Sequence, residues 1–551
     1  MFRRLLVANR GEIALRIVRT CRELGIATAV VASAADQDSA AAQLADEVIV
    51  LGDPWCYLDA ERIVAAAKRW GAEAVHPGYG FLAENAAFAR LCAEAGLVFI
   101  GPPPDVMAHL GEKDRARASA AALGIPCLPG TPEAVGAGGA VDVDAVAAMA
   151  ARIGYPVLIK AAAGGGGRGM RLARDEEELR AQLPRAMSEA NAAFKSPAVY
   201  LEKFLPGARH VEIQVLADAH GHIVHLGERD CTVQRRHQKL IEEAPSPVVD
   251  ATLRAAMGAA AAKLLASLGY VNAGTVEFLV DEAGRFYFLE VNTRIQVEHP
   301  VTEVLYGVDI VAEQIRIAAG LPLSWRQEDL VPRGWAIECR INAEDPARNF
   351  SPSPGRIDVY RPPGGPGVRV DGAAFPGWVI PPYYDSLIAK LIAWAGGREQ
   401  AIARMRRALL EFVVHGVPTT IPFHLAVLEH EAFRSGRFDT GIAEQHVPLE
   451  RVQYYAAALA RQRPGGAEVA VQPGDRALAP AQRGPAGRDT ETAAAVAAAL
   501  AAVLDEPHQI VSISPAPPPH PAGLWGFAGR LAAMQNRSLT FSPRGDRRTH
   551  A

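Results

Sequence analysis

Val157-Leu158-Ile159-Lys160-Ala161-Ala162-Ala163-Gly164-Gly165-Gly166-Gly167-Arg168-Gly169-Met170-Arg171-Leu172 runs from an apolar strand, through a lysine, into four consecutive glycines and back to an apolar segment. Glycines let the backbone approach a ligand closely and offer unblocked N–H groups to phosphate oxygens. Lys160 adds a point charge for the same oxygens. A bare glycine run reads best as a linker, but one bracketed by two apolar segments reads as a nucleotide loop. No Gly-Lys-Ser/Thr follows, so it is not a Walker A loop.

Outward from this loop, two carboxylates stand in apolar strands. Glu277 lies in Thr275-Val276-Glu277-Phe278 and Glu290 in Phe288-Leu289-Glu290-Val291-Asn292. A carboxylate in an apolar strand is costly unless paired. Two of them with Asn292 form an oxygen-ligand set for Mg²⁺ beside phosphates, with buried salt bridges as the structural alternative. Next comes Asn292-Thr293-Arg294-Ile295-Gln296-Val297-Glu298-His299-Pro300. Arg294 suits a planar oxyanion in bidentate fashion, Gln296 donates, and Glu298 is a candidate base. Alone, this segment is an ordinary polar loop. Cys231-Thr232-Val233-Gln234-Arg235-Arg236-His237-Gln238-Lys239 is polar and basic, and such a run is usually a solvated face.

The chain has 551 residues and a net charge of -4, which predicts several domains and gives no signal for nucleic acid or an anionic membrane. The six cysteines are scattered without a C-x-x-C pair, so reduced thiols and a cytoplasmic location are expected. The N-terminal apolar stretch is too short for a signal-peptide core, and no apolar run reaches membrane-spanning length.

Strands alternate with helices over residues 1–112: Leu5-Leu6-Val7-Ala8, a helix over 12–24, then strands at 27–32, 74–76 and 98–100. That pattern predicts a doubly wound parallel sheet. A second α/β region covers 113–320. In it Val211-Glu212-Ile213-Gln214-Val215-Leu216 alternates as a half-buried antiparallel strand should, and strands at 275–280 and 286–291 flank a turn. A third α+β region covers 333–446, with a helix over 401–412. Residues 463–490 are rich in Pro, Gly, Ala and Arg and read as a linker. Residues 491–551 form a small extension with an Ala-rich helix and a short strand. A docking module and a dispensable tail are both open for it.

Together these motifs resemble the biotin carboxylase family of ATP-grasp enzymes. The resemblance spans Leu5 to about His446. It includes Ala8-Asn9-Arg10-Gly11-Glu12-Ile13-Ala14, His76-Pro77-Gly78-Tyr79-Gly80-Phe81-Leu82-Ala83-Glu84-Asn85, Glu228-Arg229-Asp230-Cys231, Glu338-Cys339-Arg340-Ile341-Asn342 and Pro381-Pro382-Tyr383-Tyr384-Asp385-Ser386. It implies a central ATP-grasp fold with a mobile lid at about 132–200. ATP is then held by Lys113, Lys160, Gly165, Gly166, His210, Gln234, His237 and the hinge Glu202-Lys203-Phe204-Leu205. Glu277, Glu290 and Asn292 hold Mg²⁺ or Mn²⁺, two ions in all, the two glutamates also counting among the ATP-site residues. Lys239, Arg294, Gln296 and the backbone of Val297 bind bicarbonate. Glu298 is the base, and Arg340 and Asp385 face biotin. The implied activity is carboxylation of biotin on a separate biotin carboxyl carrier protein, through carboxyphosphate, as the first half-reaction of an acyl-CoA or pyruvate carboxylase such as the acetyl-CoA carboxylase of fatty acid synthesis. Carboxyltransferase subunits and a homodimer are the implied partners.

No lysine follows Lys390, so the extension has no residue to biotinylate. Two rival readings are another ATP-grasp ligase and a non-catalytic subunit. Residues 294–298 and Arg340 count against the first. The intact Lys239, Glu298 and Arg340 count against the second.

Overall fold

The computed structural model describes residues 1–136, 141–162, 170–194 and 196–461. Gly165, Gly166, the linker at 463–490 and the extension at 491–551 lie outside them.

Arg4–Val7 is the middle strand of a five-stranded parallel sheet, because Leu5, Leu6 and Val7 are buried and a parallel sheet covers both its faces. The order is Glu47–Gly52, Ala27–Ser33, Arg4–Val7, Ala74–His76, Val98–Phe99. All four pairings are parallel. The strand order reverses between Arg4–Val7 and Ala74–His76, where a crevice opens at the carboxyl ends. Asn9 closes one wall there, its Nδ2 donating to Pro77 O at 2.6 Å and Tyr79 O at 2.8 Å. Gly78 allows this approach: at φ +63° it takes the left-handed conformation, and a Cβ would meet the Asn9 amide at 3.0 Å. Helix Gly11–Glu23 follows, one residue earlier than its apolar stripe suggests.

The centre of the molecule is an eight-stranded sheet. Its order is Phe286–Asn292, Asn272–Val280, Arg209–Ala217, Ile223–Arg235, Gln238–Ala244, Trp335–Asn342, Leu387–Ala395, Val368–Gly372. Every neighbour pair is antiparallel. The sheet therefore continues from the second sequence region into the third.

Two expectations are corrected here. Arg209–Ala217 is buried along its whole length, not half-buried. Its alternation separates an oily face, where Val211, Ile213 and Val215 join a core, from a buried polar face carrying His210, Glu212 and Gln214. Period two reports only that the two faces differ in polarity. The basic stretch after Cys231 is a solvated face only at its turn, where Arg235 and Arg236 are half-buried and His237 is exposed. Cys231, Val233 and Gln234 are buried in the strand Ile223–Arg235.

A separate three-stranded sheet, Arg171–Ala173, Val157–Ala161 and Val199–Lys203, packs under helices Val143–Ile153 and Glu176–Phe194. Its core is its own: Val146, Val157, Ile159, Leu179, Leu183 and Leu201. Helix Arg398–Glu411 covers the far end of the large sheet. No helix among the described residues is long and apolar enough to cross a membrane.

The third region is clamped onto the first. Tyr384 is buried in the core of the parallel sheet, and its hydroxyl donates to Ser33 Oγ at 2.8 Å. The Arg10 guanidinium lies 3.9 Å from the Tyr384 ring and forks onto Asp36 at 2.8 and 2.9 Å. Asp36 also accepts from Tyr57 at 2.8 Å. Removing one member of a buried ion pair strands the other charge, at a cost of about 3–5 kcal/mol. Asp36→Ala is expected to lower stability by about that much in chemical unfolding, and a loss under about 1 kcal/mol would show the clamp to be incidental.

Candidate functional site

Strand register builds a row of charges. Glu290 stands opposite Glu277, Glu277 opposite Glu212, and Glu212 opposite Arg229. Arg229 is fully buried and donates to Glu212 at 2.5 Å, Gln214 at 2.7 Å, Thr302 at 3.1 Å and Thr275 at 3.2 Å. Lys239 reaches in from the next strand. Its three protons go to Glu298 Oε1 at 2.7 Å, Glu212 Oε2 at 2.6 Å and Glu277 Oε1 at 3.0 Å.

Burial opposes the charges of Lys239, Glu298 and Glu277, and their mutual attraction decides the outcome. Burial would lower the Lys239 ammonium, but Cys231, Glu212, Glu277 and Glu298 hold it well above its ordinary value. Burial would raise Glu298, yet Lys239, Arg340 and Arg229 hold it well below the usual carboxylate range. Glu277 is lowered in the same way, against burial, by Lys239 and His210. His210 Nε2 donates to Glu277 at 2.8 Å, and that carboxylate raises the imidazole despite burial. Gln234 reaches the other His210 nitrogen at 3.4 Å.

Arg340 bridges two carboxylates, with Nε on Glu242 at 2.6 Å and Nη2 on Glu298 at 2.8 Å. Glu242 faces Glu338 across the strands. One Glu242 oxygen and both Glu338 oxygens are buried without a hydrogen-bond partner. Burial pushes the Glu242 carboxyl up to about 7, and Arg340 offsets part of that rise.

Residues 293–298 form the rim above this cluster. Arg294 donates to Glu84 at 2.9 Å, Gln296 Oε1 at 2.9 Å and Asn292 Oδ1 at 3.0 Å. Thr293 N also donates to Glu84, at 3.1 Å. Gln296 and Asn292 both donate to Glu277 Oε1, at 3.3 and 2.9 Å. Glu298 has no exposed side-chain surface and precedes helix His299–Tyr306.

Thus Lys239, His210, Gln234, Glu277, Asn292, Arg294, Gln296, Glu298 and Arg340 form one hydrogen-bonded network. Lys113 and Glu290 sit beside it as a pair at 3.5 Å, both partly open to solvent. Lys160 pairs with Glu202 on the three-stranded sheet, and Arg117 approaches the same carboxylate at 3.6 Å. The Lys203 ammonium turns away, onto Gly154 O at 2.9 Å and Tyr155 O at 2.7 Å. Phe204 N donates to Pro156 O at 3.0 Å, so this stretch is held through its backbone, and Leu205 follows directly. His237 turns the hairpin at φ +65° and is exposed. Asp385 is exposed and accepts from Leu387 N at 3.1 Å.

Glu212, Arg229, Glu242 and Glu84 belong to the same network and are not singled out from sequence. Glu212 bears the same signal as Glu277, a carboxylate within an apolar strand.

Glu277, Glu290 and Asn292 supply oxygen donors from adjacent strands, a chemistry that fits a hard divalent cation. The acid groups around Glu212 do not offer a second such place, because the Lys239 ammonium already bridges Glu212, Glu277 and Glu298.

A large antiparallel sheet bearing a cation-ready carboxylate pair, beside a small sheet with its own core, defines an ATP-grasp enzyme. Residues 1–107 match the family described as biotin carboxylase, N-terminal domain, and residues 338–445 the biotin carboxylase C-terminal domain. Residues 112–326 match the carbamoyl-phosphate synthase L chain, ATP binding domain. The chain is 55% identical to biotin carboxylase 1 of Bacillus subtilis over 450 residues, covering 81% of this chain and 99% of that one. It is 52% identical to the biotin carboxylase of a Nostoc species over 448 residues, covering 81% and 99%. The biotin carboxylase domain dimer of Hydrogenobacter thermophilus 2-oxoglutarate carboxylase, solved with MgADP, ADP and bicarbonate, superposes with a TM-score of 0.78 at 50% identity, covering 81% and 98%. The chain belongs to the biotin carboxylase family, and its members are ligases.

Between the ordinary value of 4.5 and about 7, folded Glu242 keeps a proton that the unfolded chain has lost. Stability therefore falls as pH rises through that window. In Glu242→Gln the fall between about pH 4.5 and pH 7 is expected to be shallower. Thermal unfolding across that range checks it, and identical slopes would rule out Glu242 as the titrating group.

Proposed function

We propose that the chain catalyses ATP- and bicarbonate-dependent carboxylation of biotin carried by a separate carrier protein, with a carboxyltransferase chain completing the overall reaction. The observation that carries this reading is the Lys239–Glu298–Arg340 triad, which places a base between a cation suited to a small anion and a cation suited to a planar oxygen.

Bicarbonate is a poor electrophile, so it must be activated. It binds to Lys239, Arg294, Gln296 and the Val297 backbone. With Lys239 and Arg340 both on it, Glu298 is a weak base. An arriving anion raises its proton affinity by repulsion and takes over part of the Lys239 hydrogen bonding. Glu298 then accepts the bicarbonate proton, and the freed oxygen attacks the γ-phosphorus of ATP, releasing ADP. Lys160 and Lys239 offset charge on the phosphoryl oxygens in flight. Glu277, Glu290 and Asn292 would hold Mg²⁺ or Mn²⁺, whose charge supplies the same stabilisation. Carboxyphosphate breaks to CO₂ and phosphate, the phosphate takes the biotin N–H proton, and the nitrogen attacks CO₂. Arg340 stabilises the ureido enolate, with Asp385 at the rim.

Lys113, His210, Gln234, His237 and the backbone of residues 202–205 complete the ATP site with Gly165 and Gly166. Carboxyphosphate is destroyed by water, so the site must close. The small sheet, with a core separate from the rest, suits a lid. A homodimer and a cytoplasmic location complete the reading, supported by the dimeric relative and by free thiols. Relatives are named for pyruvate and for 2-oxoglutarate, so the acceptor is set by the carboxyltransferase chain.

ADP release with ATP, Mg²⁺ and bicarbonate is expected to rise on adding free biotin. Arg340→Ala is expected to abolish that stimulation, and Glu298→Gln to slow turnover by about 10²–10⁴-fold. Wild-type turnover indifferent to biotin would refute the proposal.

A further inference from the structure

Lys390 is the last lysine of the chain, and the mechanism above does not use it. Its side chain is fully buried on the strand Leu387–Ala395. The ammonium donates to Val297 O at 2.9 Å and pairs with Glu12 Oε1 at 3.0 Å. Glu12 belongs to helix Gly11–Glu23 and also accepts the Tyr79 hydroxyl, and the Tyr79 ring lies 5.9 Å from the ammonium. Asp371 stands opposite Lys390 in register, but Arg369 engages both its oxygens, at 2.8 and 2.6 Å. Glu12 is therefore the carboxylate in direct contact with Lys390. One ammonium thus ties the parallel sheet region, the site loop and the far end of the large sheet together.

A buried ammonium costs much unless paired, and an apolar side chain would join the same layers without that cost. What the ammonium adds is a directed bond to the carbonyl of Val297. That carbonyl shares a peptide plane with the nitrogen of Glu298. Holding it fixes the direction in which Glu298 leaves the backbone and the attitude of the Val297 amide on the other side. The other backbone holds on the loop lie elsewhere, Thr293 N on Glu84, Ile295 O under Arg294 and Gln296 O under His299, while Arg294 on Glu84 and Gln296 on Glu277 act on side chains.

We propose that Lys390, held by Glu12, is a positioning residue that fixes the Val297–Glu298 peptide and so sets the geometry of the bicarbonate loop. This rests on the assignment of residues 294–298 to bicarbonate. It predicts a defect in bicarbonate use that leaves ATP use in place, because the nucleotide contacts lie on other strands.

The test is steady-state ADP release by the full chain carrying Lys390→Met, with bicarbonate and ATP varied in turn. The KM for bicarbonate is expected to rise by about tenfold or more, with the KM for ATP within about twofold of wild type. Lys390→Arg is expected to recover part of the loss. Glu12→Gln, read in the same way, is expected to show a smaller rise for bicarbonate, and it carries the test if Lys390→Met does not fold. Equal rises in both KM values, or an unchanged KM for bicarbonate in a bicarbonate-dependent wild type, would overturn the positioning role. Wild-type turnover that ignores bicarbonate would overturn the site assignment, and this inference with it.

Discussion

The Lys239 ammonium lies among Glu212, Glu277 and Glu298, with all three of its protons engaged. Much of the surrounding structure follows from that constraint. Three buried carboxylates on one cation leave excess negative charge, which Arg229 and Arg340 neutralise from opposite sides. Those cations need further acceptors in turn, and Gln214, Thr275, Thr302 and Glu242 provide them. A network of this kind is tolerable in a low-dielectric interior only when its polar groups are engaged.

The same network is what a phosphoryl-transfer site requires. Charges already oriented at the reacting position need no reorganisation when the transition state forms. Glu298 illustrates the balance. Ion pairing lowers its proton affinity, and an incoming anion raises it. The carboxylate becomes a useful base when its substrate is present. Unpartnered oxygens on Glu338 and Glu242 mark the edge of the network, where burial outweighs pairing.

Several members are legible in sequence. Glu277 and Glu290 interrupt apolar strands, and a charge there must be paired or bound. Arg294 and Glu298 can be named only through the motif as a whole, because their segment alone is an ordinary polar loop. Glu212 carries the same signal as Glu277 but reads as part of a half-exposed alternation. Polarity alternates identically whether the polar face meets water or a buried ion cluster. Lys203 shows the opposite limit: it lies within the hinge in sequence, but its ammonium holds the Gly154 and Tyr155 carbonyls.

By itself the sequence determined the local elements and their class. Period-two and helical spacing place the strands and helices read from it to within three residues, because backbone geometry and burial act over a few neighbours. The ordered motifs determined the family. Only the tertiary structure decided which charge answers which. Glu290, Glu277, Glu212 and Arg229 align through the register of strands far apart in the chain. Lys390 meets Glu12 across more of the chain still. Coulombic partners are chosen by distance in space, and spacing along the chain carries no record of it.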